Sequence, residues 1–212
     1  MTRRAYIEQI RRLIYGGQPD TDAEITVGLV NVWLNQAIGH AAKTNYKDSL
    51  AIDGISYVNN SFYTTYKALA VIEDEQFVWK VELPQIPIGI GKNEGVSTLV
   101  FKDYESRQLS SSVIWLSENQ VSFASGMKEI PNKLIAWPRG KFVYIKSTIQ
   151  LMDYTAQVVM ISGGDSTNLN SELNVPDDYF PVMTEYLQQK FIMGRSQLKD
   201  VTPDGNDLLK TT

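Results

Sequence analysis

The sequence predicts an α+β domain: a small helical bundle, built from the two ends of the chain, that carries an inserted antiparallel β-sheet or sandwich module and a polar C-terminal tail. Three observations lead there. Apolar residues recur at helical spacing near both ends, and the stretches between them alternate with period two. No helix-period segment separates those stretches, as a doubly wound α/β enzyme would require. The boundaries read as 1–48 for the N-terminal helices, 49–168 for the β-rich module, 169–195 for the C-terminal helix rejoining the bundle, and 196–212 for a flexible tail.

The first helix is expected from Arg3 to Tyr15. Tyr6, Ile7, Ile10, Leu13 and Ile14 repeat along one face, and Gly16-Gly17 stops the run. Its other face, with Arg3, Arg4, Arg11 and Arg12, reads as solvated, with Glu8 and Arg12 paired one turn apart; an acidic partner surface is the alternative. Pro19-Asp20 makes a turn, and Thr21-Asp22-Ala23-Glu24 has the capping-box form. A long helix follows to about Thr44. Ile25, Leu29, Val32, Trp33, Ala37, His40 and Ala41 line one side, and Val30, Leu34 and Ile38 a second. A helix apolar on two sides is normally clasped between neighbours, which places Trp33 in a buried contact with other helices or with another copy of the chain.

Gln76 to Leu83 is the clearest strand, with Phe77, Trp79, Val81 and Leu83 on one side. Others read at Val96 to Lys102, Val113 to Leu116, Leu134 to Trp137, Phe142 to Lys146 and Thr155 to Ile161. Pro138-Arg139-Gly140 supplies a hairpin turn, Glu73-Asp74-Glu75 a solvated turn, and Gly163-Gly164-Asp165 ends the last strand. Asn174-Val175-Pro176-Asp177-Asp178 opens a third helix that runs to Gly194, proline and two acids being favourable start signals.

The 212 residues suffice for a substantial core, and 43% hydrophobic with 21% charged residues excludes bulk disorder. A net charge of −4 gives no pull toward nucleic acid or acidic membranes. No apolar run approaches a membrane span. Zero cysteines exclude disulfides, thiolate zinc sites and cysteine nucleophiles, and suit a reducing cytoplasm.

Catalytic, cofactor-binding and metal residues are expected to be absent. The single histidine, His40, has no Cys, His, Asp or Glu at i±3 or i±4, and reads as a packed side chain. Pro87 to Gly95 looks superficially like a phosphate loop. Ile86 stands where the first glycine is needed and Asn93 where Ser or Thr should follow Lys92. Gly163-Gly164-Asp165-Ser166 lacks the Gly-x-Ser-x-Gly pattern of a serine elbow. Tyr57, Phe62, Tyr63 and Tyr66 could stack bases, but only Lys67 lies near to bind phosphate, so sheet packing or a protein interface fits better.

A resemblance adds what composition cannot. Thr2 to Gly17, Tyr57-Val58-Asn59-Asn60-Ser61-Phe62-Tyr63, Glu82-Leu83-Pro84 with Ile86-Pro87-Ile88-Gly89-Ile90-Gly91, Trp115-Leu116-Ser117-Glu118-Asn119-Gln120 and Asn174-Val175-Pro176 resemble a structural protein family of crAss-like tailed phages. The resemblance implies a ring in the neck, the head-to-tail connector below the portal. Implied partners are the chain itself, in a twelvefold ring, the portal protein and other neck and tail ring proteins. Genomic DNA would pass only as cargo through the channel. The family brings no catalytic motif; no cofactor, membrane or small-molecule substrate is implied, and the location would be the virion, assembled in the host cytoplasm.

The function expected is therefore structural. The alternative is a tail or baseplate module that binds a receptor or glycan through its β domain. A hydrolase using scattered carboxylates is disfavoured, because no acid pair shares a strand end or helix face. Subunit contacts are expected from Ile86, Ile88 and Ile90, from Trp33, and from Leu198 and Val201 in the region after Gly194; both Pro84 to Gly95 and that tail would order on assembly.

Overall fold

Helix α1 (Arg3–Tyr15) begins where the Thr2 hydroxyl accepts the N–H of Ala5, and ends as Gly16 enters the left-handed region at φ 68°. These are the limits expected from sequence. The computed structural model describes residues 1–17, 25–90, 95–105, 107–125 and 133–198. The expected capping box at Thr21 to Glu24 lies outside the described residues, and the cap observed on the next helix is Thr26, which accepts the N–H of Leu29 at 3.2 Å.

That helix, α2 (Val27–Asp53), runs nine residues beyond the expected end at Thr44, to a left-handed Gly54. The extension is held by two buried polar residues. Ser49 donates to the Asn45 carbonyl at 2.8 Å, and the Asn45 side chain accepts the Asn59 N–H at 2.8 Å while donating to the Tyr179 hydroxyl at 3.0 Å. The deepest face of α2 is Val30, Leu34, Ala37, Ile38, Ala41 and Ala42. The side expected around Trp33 is shallower: Leu29 and Val32 are exposed, and Trp33 is half-buried against the helical core.

The last helix, α4 (Phe180–Leu198), follows a 3-10 turn at Asp177–Tyr179 and reaches past Gly194. Ring contacts orient it. Tyr6 meets Phe180 and Tyr15 meets Phe191, so α1 and α4 run parallel; His40 stacks on Tyr186 and Asn45 bonds Tyr179, so α2 and α4 run antiparallel. A short helix, α3 (Glu118–Ser125), lies in the β module, where none was expected from sequence.

Seven strands form one sheet in the order β3-β7-β1-β2-β6-β5-β4: β1 (Tyr63–Glu75), β2 (Val78–Glu82), β3 (Val96–Lys102), β4 (Val113–Trp115), β5 (Leu134–Arg139), β6 (Phe142–Lys146) and β7 (Thr155–Ile161). All pairs are antiparallel except β4 with β5. Residues 63–70 of β1 pair with β7, while 71–75 pair with β2. Inward side chains from both halves, including Trp79, Phe101, Ile145 and Val158, share one core, so the sheet folds over itself as the expected sandwich does.

β1 is the longest strand and the one not expected from sequence. Its inward positions shift from Tyr66 to Leu69 and Val71, across a register break where Ala68 takes φ 55°. That bulge changes the parity of the alternation and conceals the period of two. Glu73-Asp74-Glu75 is thus the end of a strand, where Asp74 accepts from Lys80 at 2.6 Å. Phe77 likewise leaves the inward row, because Gln76-Phe77 form the β1–β2 turn. In the β5–β6 hairpin Pro138 and Arg139 are still paired, and Gly140-Lys141 turn the chain.

A second core, between helices and sheet, joins Tyr6, Ile10, Leu34, Ile38 and Leu187 to Phe62, Ile161 and Val175. β7 enters it through Gly163, at φ 63°, where a Cβ would strike the Ile38 side chain. Gly163→Ala should therefore cost about 2–3 kcal/mol, combining backbone strain with overpacking. Gly140→Ala, also at positive φ but with open space around the Cβ position, should cost about 1–2 kcal/mol. Thermal unfolding of both variants checks the ranking.

Candidate functional site

The residues that the sequence marks as a bland basic face and a rejected serine elbow meet in one place. Arg3 is 0% exposed. Its Nε donates to the Asn31 side-chain carbonyl at 2.6 Å, and its Nη2 donates to that of Asn35. Burial lowers the guanidinium pKa to about 10, against the opposing pull of Asp165. Its Nη1 has no acceptor among the described residues. The rest of the α1 entry is bound to the segment before α4: the Arg3 and Arg4 N–H groups donate to the carbonyls of Ser171 and Leu169, and Leu173 N–H donates to Met1. Those carbonyls satisfy donors that a helix N-terminus leaves free.

Gln85 closes the other side of this seam. Its amide nitrogen donates to the Gly164 carbonyl at 2.7 Å, to the Ser162 carbonyl at 3.3 Å and to the Tyr66 hydroxyl at 3.2 Å; its oxygen accepts the Ser166 N–H at 3.1 Å. The Asn31 amide reaches the Ser166 carbonyl, and Thr64 accepts from both the Gly164 N–H and the Asn174 amide. Burial raises the Tyr66 pKa, and the Thr167 hydroxyl bond holds Asp165 below its ordinary value. These bonds tie three separated segments, 1–4, 85 and 162–174, to helix α2 and strand β1. Chemically the seam positions backbone. Gln85 carried no sequence signal, since a lone glutamine between prolines belongs to no motif.

The other expected site residues are dispersed. Glu8 pairs with Arg4 at 3.6 Å rather than with Arg12, and both are well solvated. His40 is exposed and stacks on Tyr186 with ring centroids 5.1 Å apart. Within Pro84 to Gly95 the isoleucines separate. Ile86 is 68% exposed, whereas Ile88 and Ile90 pack on the helical core of their own chain. The Ile88 N–H donates to the Ile161 carbonyl at 2.8 Å, and its Cγ2 faces Gly39 of α2. Leu198 is the last described residue, and Val201 lies outside the described residues.

Two exposed apolar groups stand at opposite ends of the bundle. Leu13, Leu29, Val32 and Ile192 lie at the end where α2 begins; Leu50, Ile52, Ile55 and Tyr57 lie where it finishes, about 30 Å away at 1.5 Å per helical residue. Beside the second group is a cleft of about 510 Å³ lined by Tyr46, Tyr57, Val58, Tyr63 and Ile90. None of the described helices is long and apolar enough to cross a membrane. No known protein-family model and no curated protein sequence matches the chain.

Ile86→Ser should leave the melting temperature within the scatter of surface changes, about ±0.5 kcal/mol, while Ile88→Ser should cost about 1–3 kcal/mol. Equal effects in a denaturant titration would contradict the packing described. The seam should also be sensitive to acid. A carboxyl whose folded pKa is depressed contributes stability above its unfolded value, and loses it as pH falls through the folded one. For Asp165 that window lies below 3.8, and Asp165→Asn should flatten the stability profile there.

Proposed function

We propose that the chain is a structural subunit of a tailed-phage virion, forming a ring in the neck between portal and tail, as its resemblance to the crAss-like structural family implies. The observation that best supports a self-assembling role is the placement of two different apolar groups at opposite ends of one rigid bundle. A closed ring uses heterologous contacts, in which one surface of a subunit meets a different surface of the next. Exposed apolar side chains at separate places suit that arrangement, whereas scattered single ones need no explanation. The cleft beside Tyr57 gives the second group a concave partner surface, and Leu29, Val32 and Ile192 offer projecting side chains.

The fold suits a mechanical task. The seam at Arg3 and Gln85 fixes the β module relative to the helices, so load entering one part is carried to the other through bonded backbone. DNA passing the ring is cargo in this reading, and the chemistry asked of the chain is adhesion to copies of itself and to adjoining rings.

Light scattering and electron microscopy of the purified chain test the proposal. Closed rings are expected, and Val32→Glu together with Ile55→Glu should leave folded monomers, because both positions are already exposed. A monodisperse monomer at every concentration sampled would overturn it.

A further inference from the structure

The β1–β2 hairpin turns on two residues, Gln76 and Phe77, and Phe77 is held at φ 65°. That conformation is ordinarily left to glycine or asparagine, because an L side chain crowds its own backbone there. Strain of this kind persists where the surrounding structure holds it in place, and it clusters at binding sites. Here it sets a phenyl ring, 50% exposed, at the rim of a cleft of about 270 Å³. The other walls include Glu73, Gln76, Trp79, Thr148 and Gln150. Trp79 is 3% exposed, and its indole N–H has no acceptor among the described residues, although buried donors are nearly always partnered.

The lining defines a ligand class. The exposed Phe77 ring offers a flat apolar face, two carboxamides each donate and accept, and a hydroxyl and a carboxylate complete the polar set, with the Trp79 indole N–H at the base. One negative group with no cation among the described lining residues disfavours phosphate, sulfate or carboxylate ligands. A pyranose answers each feature: one face is a patch of C–H bonds that stacks on an aromatic ring, and its neighbouring hydroxyls both give and take hydrogen bonds. The volume is near the lower end of ligand clefts, about 300–1,000 Å³, and suits one ring. We infer that the cleft between the β1–β2 turn and residues 148–150 binds a single neutral sugar unit of a glycan. The inference does not depend on ring formation, since every wall belongs to one chain.

The test follows the indole N–H resonances of the full chain by NMR. The chain has four tryptophans, and Trp79→Phe assigns the signal of interest. Methyl glycosides of glucose, galactose, mannose and N-acetylglucosamine serve as probes. At least one should move the Trp79 signal saturably, with a dissociation constant on the order of 1 mM as suits so small a contact. Phe77→Gly removes the ring while relieving its backbone. It should weaken binding about tenfold or more with the melting temperature unchanged or raised. An unmoved Trp79 signal with all four glycosides at ~50 mM, or a shift that survives Phe77→Gly at equal affinity, would overturn the inference.

Discussion

A single guanidinium with no exposed surface underlies the arrangement of the whole molecule. Burying Arg3 is unfavourable in itself, and its lowered pKa records the lost hydration. The cost is offset only if Asn31 and Asn35 stand where they do on α2 and if Asp165 lies close by. Each of those conditions constrains a different part of the chain: the entry of α1, the rotation of α2 about its axis, and the course of the loop leaving β7. The apolar core between helices and sheet could tolerate small slides, because dispersion is non-directional. The bonds to Arg3 do not tolerate them.

Gln85 supplies the matching constraint from the β module. It lies just past β2, yet its amide reads the carbonyls of Ser162 and Gly164 at the end of β7. Gln85 from the β module and Asn31 from α2 thus bond the same short stretch of backbone between residues 162 and 166. The positive φ values at Gly163 and Gly164 let that stretch lie against Ile38 and the Glu172 carbonyl without a Cβ in the way.

Much of this could be read from sequence, and the failures share a cause. The limits of α1 were legible because Thr2 and Gly16 act locally, through bonds to residues a turn away. The strands β2, β3, β5, β6 and β7 were legible because one face of each enters the core. The end of α2 was not, since Asn45 and Ser49 look like the polar residues that follow a helix, and only Asn59 and Tyr179 explain their burial. β1 was hidden by the bulge at Ala68, which splits one alternating pattern into two of opposite parity. Arg3 was misread for a deeper reason: its partners are 28 and 32 residues distant, and nothing in a basic helix face distinguishes an arginine that is fully buried. The packing of Ile88 against Gly39 of α2 was likewise invisible without the fold.

The parallel pairing of α1 with α4 sets a timetable for synthesis. Helix α1 leaves the ribosome well before α4, against which it docks, and its opening N–H groups wait for carbonyls at residues 169–171. Until those residues emerge, the buried faces of α1 and α2 have no permanent cover, while the β module between them can already pair its own strands. Contacts separated by so much chain close slowly, and exposed apolar helices are prone to association in the interval. Helices α1 and α2 should therefore depend on early cover during synthesis, and the bundle closes only once α4 has emerged.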